Sequence, residues 1–340
     1  MPADCSITTD CAAGELCARY EYDNGCGPVA GYACTTLDDE CREDTDCGQG
    51  YCKPHDGRRV CEFDQCVIGR PFLVEGQARL ASAARRDDWL SDALVEPMQP
   101  TSNRARAEIT EHWVRIGLME HASIAAFARF SLQLLAFGAP ASLLEATQRA
   151  MADETHHARL AFDLASRFAR VPCGPGYLDV SSAMGNNDWA DVVKATFVEG
   201  CIGETVAAME AAEALQHARD PQVRATLEVI ARDERRHAEL AWQFIDWALS
   251  QTPQLATELR ALIHAERAEA TRRAGESAPA LRRLTTDASS DERAKLAHGV
   301  VPEELSAQLR LSVLQTVVGP CAEALLKRVS VRAVDEAKSA

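Results

Sequence analysis

The chain has 340 residues, enough for two or more domains, and carries 51 acidic against 36 basic side chains, a formal net charge of −15. That balance argues against nucleic acid or an anionic membrane surface as partner. No uninterrupted apolar run reaches the roughly eighteen residues of a membrane span.

Ten of the thirteen cysteines and four of the five tyrosines lie within residues 1–66. The cysteines run 5, 11, 17, 26, 34 and then 41, 47, 52, 61, 66, and Thr9-Asp10-Cys11 with Gly14 and Cys17 recurs as Thr45-Asp46-Cys47 with Gly50 and Cys52. This reads as an internal duplication with too few apolar residues for a core, so disulfides are the expected source of stability. A zinc or rubredoxin-type site lacks its usual Cys-x-x-Cys spacing. Five cysteines per repeat is an odd number, so at least one bridge should join the repeats. Disulfides imply an oxidising compartment. Met1-Pro2-Ala3-Asp4 has neither the basic start nor the apolar stretch of an export signal. The expectation is an extracytoplasmic protein (secreted, periplasmic or cell-surface) whose signal peptide has been removed, with the cytoplasm as the alternative if the cysteines are reduced.

Residues 67–102 read as a linker or covering segment, punctuated by Pro71, Gly76, Pro97 and Pro100, with an aliphatic patch at 72–74 and a short helix near 78–94. From residue 103 the chain turns rich in Ala, Leu, Glu and Arg, the composition of long helices. Thr101-Ser102-Asn103 offers caps for a first helix to about residue 137, and Pro140 opens a second to about residue 170. A loop to Asn187 precedes a third helix, to Ala218. Asp220-Pro221 caps a fourth, to about residue 250. Short links within the pairs and a long one between them give two antiparallel hairpins joined by a crossover, spanning residues 103–250. Residues 251–340 should add C-terminal helices at about 254–274 and 303–329, separated by a polar stretch (275–290) expected to be disordered.

Within this helical region the six-residue pattern Asp-Glu-x-x-His-Ala occurs twice, as Asp153-Glu154-Thr155-His156-His157-Ala158 and Asp233-Glu234-Arg235-Arg236-His237-Ala238. Residues three apart share a helix face, so Glu154 with His157, and Glu234 with His237, can each grip a metal ion. One hairpin arm upstream of each pair, another glutamate interrupts an apolar stripe. Glu120 lies in Trp113, Ile116, Ile124, Phe127, Ser131 and Leu134, where Ser131 is the other polar member; Glu204 lies in Val193, Phe197, Cys201, Ala208, Ala211 and Leu215. Solvated glutamates on an outer face would not sit among such neighbours. Four buried carboxylates at one level would repel strongly unless multivalent cations lay between them. Four carboxylates and two imidazoles from four helices form the ligand set of a dinuclear centre.

The third helix has a second candidate, Glu199. On a regular helix, residues five apart point about 140° away from each other, and the stripe through Glu199 contains Glu210, Glu213 and His217, a surface composition. Glu204 is therefore the expected ligand, with Glu199 behind the ligands or a movable additional one. Asp153 and Asp233 can accept hydrogen bonds from ligand histidines on the neighbouring helix. Cys201, one turn from Glu204, is either redox-active or a small apolar filler.

One Glu, then Glu-x-x-His, then one Glu, then Glu-x-x-His, between Glu120 and His237, resembles the ferritin-like di-iron carboxylate superfamily. The resemblance covers the four-helix core only. It implies a mainly α, ferritin-like four-helix bundle in which Glu120, Glu154, His157, Glu204, Glu234 and His237 hold two ions, iron or alternatively manganese, with carboxylates bridging between them. The chain departs from some relatives: Tyr177 is its one tyrosine beyond residue 66, leaving a tyrosyl radical without a seat. It also lacks the cysteine pairs of an internal rubredoxin-like electron relay.

The leading function on this reading is an O₂- or peroxide-dependent oxidoreductase acting on a small-molecule or peptide substrate. A second is a metal-binding or iron-oxidising protein without organic substrate. A third is a secreted interaction protein in which the bundle is structural, a reading that the completeness of the ligand set disfavours.

Overall fold

The computed structural model describes residues 17–23, 28–35, 39, 41, 51–55, 58–62, 70–74, 76–90, 102–185 and 187–328. Contacts divide the chain into two units, Met1–Val67 and Ile68–Ala340.

In the first unit, β1 (Cys17–Asp23) pairs antiparallel with β2 (Pro28–Cys34), and β3 (Tyr51–His55) with β4 (Arg58–Glu62). The registers set Cys17 opposite Cys34 and Cys52 opposite Cys61, so the third cysteine of each run faces a cysteine on the returning strand. Cys41 is buried and disulfide-bonded. The Arg59 N–H donates to Asp39 Oδ1 at 2.6 Å.

The second unit is mainly helical. Ser102 accepts a hydrogen bond from the Ala105 N–H and starts α1 (Asn103–Ala136). After a four-residue link that contains positive-φ Gly138, α2 (Ala141–Ala169) packs back along α1. Asp220 caps α5 (Pro221–Gln251) by accepting from the Gln222 and Val223 N–H groups, with Pro221 in the first turn where no N–H is needed. Between them the third helical arm has three parts: α3 (Trp189–Ala195), a π-helical segment (Thr196–Glu204) and α4 (Thr205–His217). This arm packs on α5, and α5 on α2, so the elements form a helical bundle. Its core is filled by Phe127, Phe130, Phe197, Ile202, Phe244 and Ile245 at one end, and by Ile109, Trp113, Leu164, Phe168 and Val223 at the other.

The π-helical segment corrects the expectation of a regular third helix. Gly200 and Gly203 weaken the α-helix locally, and the segment lies hard against α5: a Cβ on Gly200 would stand 2.5 Å from the Ala241 Cβ. Each π turn closes on the fifth residue rather than the fourth. Residues five apart thus come close to one another instead of diverging.

Residues 78–94 are another correction. Through Leu90 the chain forms no helix; it makes the β5 (Leu73–Val74) and β6 (Gln77–Ala78) hairpin and then β7 (Ala83–Ala84), which pairs with β8 (Gly174–Pro175) of the loop after α2. Tertiary anchors override the helical composition: Arg79 pairs with Asp179 at 2.8 Å, and Arg86 donates to the Pro175 carbonyl at 2.9 Å. Positions 91–94 lie outside the described residues. Phe72 and Val74 are buried against Ala122 and Ala126, so this segment covers α1.

The polar stretch 275–290 is largely helical, not disordered. α6 (Leu255–Asp287) runs through Gly275 and Pro279, supported by Arg272 pairing with Glu269 and Glu276, by Arg283 with Glu292, and by Gln308 donating to the Ala274 carbonyl. A capping box opens α7 (Ser290–Ala297). α8 (Glu303–Val313) continues through a π-helical turn, Leu314–Val318, as one helix to Arg328. By length and composition this helix alone among the described residues could cross a membrane, since Arg310 is the one charge between Leu305 and Ala322. Val313, Leu314, Val318, Ala322, Leu325 and Leu326 are buried in the shared core, which accounts for the apolar composition.

Gly200→Ala forces the π segment and α5 apart. We expect a loss of about 1–3 kcal/mol in denaturant unfolding; an unchanged midpoint would contradict the close approach.

Candidate metal centre

The two motif helices and the two single glutamates meet in the middle of the bundle. Glu120 projects from α1, Glu154 and His157 from α2, Glu204 from the end of the π segment, and Glu234 and His237 from α5; all six are buried. Two groups of donor atoms form, each with its members within 4.8 Å of one another: Glu120, Glu154, His157 and Glu234, and Glu154, Glu204, Glu234 and His237. Glu154 and Glu234 belong to both. His157 Nδ1 lies 3.7 Å from Glu120, 4.0 Å from Glu154 and 3.4 Å from Glu234. His237 Nδ1 lies 3.1 Å from Glu154 and 3.5 Å from Glu234. The two imidazole centroids are 5.9 Å apart.

The outer nitrogens of the histidines are held from the opposite helix. His157 Nε2 meets Asp233 Oδ2 at 3.3 Å, and His237 Nε2 meets Asp153 Oδ2 at 3.2 Å. The aspartate of each repeated motif thus serves the histidine of the other copy. In a neutral imidazole, donation of Nε2–H to the aspartate would leave the Nδ1 lone pair on the side of the carboxylates, the tautomer that a metal ion requires. Arg236 reaches both aspartates at 2.9 Å, and Arg232 Nε donates to Asp233 at 2.8 Å.

The donor chemistry and its unsatisfied atoms fit a cation. Glu154 Oε2, both Glu204 carboxylate oxygens, Glu234 Oε2 and both histidine Nδ1 atoms are buried without a hydrogen-bond partner. Native interiors rarely tolerate such groups, and their convergence on one region means that these buried clusters can hold a metal ion. The electrostatics agree. Burial, then the neighbouring carboxylates, pushes Glu154 and Glu204 well above the usual carboxylate range. Burial disfavours charge on His157 and His237, yet the surrounding carboxylates outweigh it and raise both well above their ordinary value. Glu234 moves down, since the two histidines overcome its burial. Positive charge is what the cluster lacks.

Other sequence candidates fall outside the donor groups. Glu199 is buried, not on a surface stripe, because the π turns bring it inward; its partner is Arg70, 3.7 Å away. Glu210 of the same expected surface stripe is also buried, bonded to Ser306. Cys201 is fully buried and its thiol is pushed well up by burial, the behaviour of an inert apolar filler. Two histidines that adjoin the donors in sequence are not among them: His121, next to Glu120, meets Trp89 edge-on, and His156, next to His157, is exposed.

Two contributors carry almost no mark in the sequence. Arg236 lies inside the repeated motif but is indistinguishable there from any helix-surface arginine. Arg70 offers one faint signal, a lone charge directly before the apolar patch at 72–74. No protein-family model matches the chain, and neither a curated protein nor a solved structure is detectably similar to it.

These placements separate the two glutamates of the π segment. Glu204→Ala removes a donor and should sharply lower the metal content or affinity of cation-loaded protein. Glu199→Ala should leave metal bound, with a change of no more than the ten- to a hundredfold typical of outer groups. Elemental analysis showing the reverse order would displace Glu204 from the site.

Proposed function

We propose that the helical unit is a ferritin-like dinuclear metal protein and an O₂- or peroxide-dependent oxidoreductase. One observation carries this reading: two four-donor groups share Glu154 and Glu234, so that two adjacent ions would be bridged by those carboxylates. Glu120 and His157 would complete one ion's ligands, Glu204 and His237 the other's. Iron is the ion the reading favours, with manganese the alternative the same donors accept.

A pair of redox-active ions supplies two electrons at one place, which suits reduction of O₂ or peroxide. The chain contributes the surroundings. Asp153 and Asp233 hold the imidazoles in one orientation and one tautomer. Phe127, edge-on to His237 at 5.3 Å, and the alanines of α2 and α5 keep the donors out of bulk water. In that low dielectric, four carboxylates match the charge of two divalent cations, which favours their binding as a pair.

Elemental analysis of protein loaded with iron or manganese should approach two ions per chain, and His157→Ala combined with His237→Ala should abolish binding. Full retention in that double variant would remove the proposal. The oxidoreductase reading is tested by anaerobic reduction followed by O₂ or peroxide exposure under optical monitoring. Rapid oxidant-dependent spectral change, absent from the double variant, is the expected result.

We further propose that the first unit is disulfide-stapled and the protein extracytoplasmic. Opposed residues in an antiparallel ladder have Cα separations that a disulfide spans, which supports bridges from Cys17 to Cys34 and from Cys52 to Cys61. Titration of denatured, unreduced protein should find at most three thiols, those of Cys173, Cys201 and Cys321. About ten or more would point to a reducing compartment.

A further inference from the structure

A buried cation stands beside the segment that carries Glu204 without belonging to either donor group. Arg70 is 4% exposed; its Nη2 donates to Thr196 Oγ1 at 3.1 Å and its Nε lies 3.7 Å from Glu199 Oε2. The guanidinium carbon sits 5.1 Å from the Phe127 ring centroid and 4.1 Å from that of Phe130. Phe127 in turn is the ring against His237. The backbone is pinned as well, since the Ser123 hydroxyl donates to the Arg70 carbonyl at 2.8 Å. Glu204 as well as Glu199 attracts the guanidinium.

A site that must attract cations gains nothing from a permanent positive charge nearby unless that charge answers another. Arginine keeps its proton in proteins, so burying it alone is strongly unfavourable. Its counter-charge is Glu199, which the π turns carry inward with Glu204. Arg129 also attracts Glu199, but less than Arg70 does; without Arg70, Glu199 would be a fifth buried carboxylate, only partly balanced, beside a cluster that already has four. Two divalent ions balance four carboxylates, and a fifth leaves excess negative charge in a low dielectric.

We infer that Arg70 and Glu199 form a charge-balancing pair that keeps Glu199 out of the ligand set and thereby sets the affinity of the centre for divalent cations. Arg70 is a positioning residue on this view, brought in by the covering segment at 70–74. The inference rests on the dinuclear reading above.

The test is a charge cycle on the full chain, read as the dissociation constant of Mn²⁺ for metal-free protein, with thermal melts confirming that each variant folds. Arg70→Gln leaves Glu199 with only the weaker attraction of Arg129 and should tighten Mn²⁺ binding by roughly tenfold. Glu199→Gln leaves the Arg70 charge without its nearest carboxylate, to act on Glu204 and the cluster instead, and should weaken Mn²⁺ binding by a similar factor. The double variant should return to within about threefold of the parent, and Arg70→Lys, which keeps the charge, should stay near it. A merely structural pair gives weakening in both single variants and at least as much in the double, which overturns the inference. Where Arg70→Gln fails to fold, the comparison of the double variant with Glu199→Gln alone decides: tighter binding in the double supports the balance, equal or weaker binding overturns it. If the parent protein binds no Mn²⁺ and no iron, the dinuclear reading falls instead, a result distinct from any of these.

Discussion

Six buried donor groups gathered at one level of a helical bundle govern the architecture of this protein. Carboxylates removed from water repel each other, and Glu120, Glu154, Glu204 and Glu234 are all buried. Everything around them limits that cost. Each histidine is tied to an aspartate on the facing helix, each aspartate to an arginine at the rim, and Glu199 to Arg70. Charge is compensated outward in layers, from the cluster to the surface.

The backbone makes the same accommodation. A continuous α-helix across residues 196–204 would turn Glu199 and Glu204 to different sides and could not bring its chain so near α5. Glycine at position 200 removes the side chain that would collide with Ala241, and the wide turns then place both carboxylates inward. π-helical turns are rare and occur mostly as short insertions at functional sites. Here the contacts that hold them are Ala241, and Arg70 through Thr196 and Glu199.

Much of this is legible in the amino-acid sequence. The caps at Ser102 and Asp220-Pro221 place helix starts within a residue or so, because N-cap chemistry is local. The repeated motif locates the donors on α2 and α5, since a three-residue spacing on a regular helix leaves little freedom. Where the sequence misleads, the deciding interaction is distant along the chain. Pairing of Ala83–Ala84 with Gly174–Pro175 keeps a helix-like stretch from becoming helical, and packing against the last helix orders the polar stretch around Gly275. The phase of the third arm is hidden because an α-helical period does not hold across its two glycines. Arg70 is hidden because nothing near it in the chain announces its burial.

The crosswise exchange of aspartates between the repeated motifs bears on how the molecule assembles. A hairpin of α1 and α2 alone would carry Glu120, Glu154 and His157, but the group that orients His157 arrives only with α5; the second hairpin is incomplete in the mirror-image way. Neither half can be finished in isolation. The donor cluster is therefore complete only where the two hairpins dock, and any cation it held would join them across that seam.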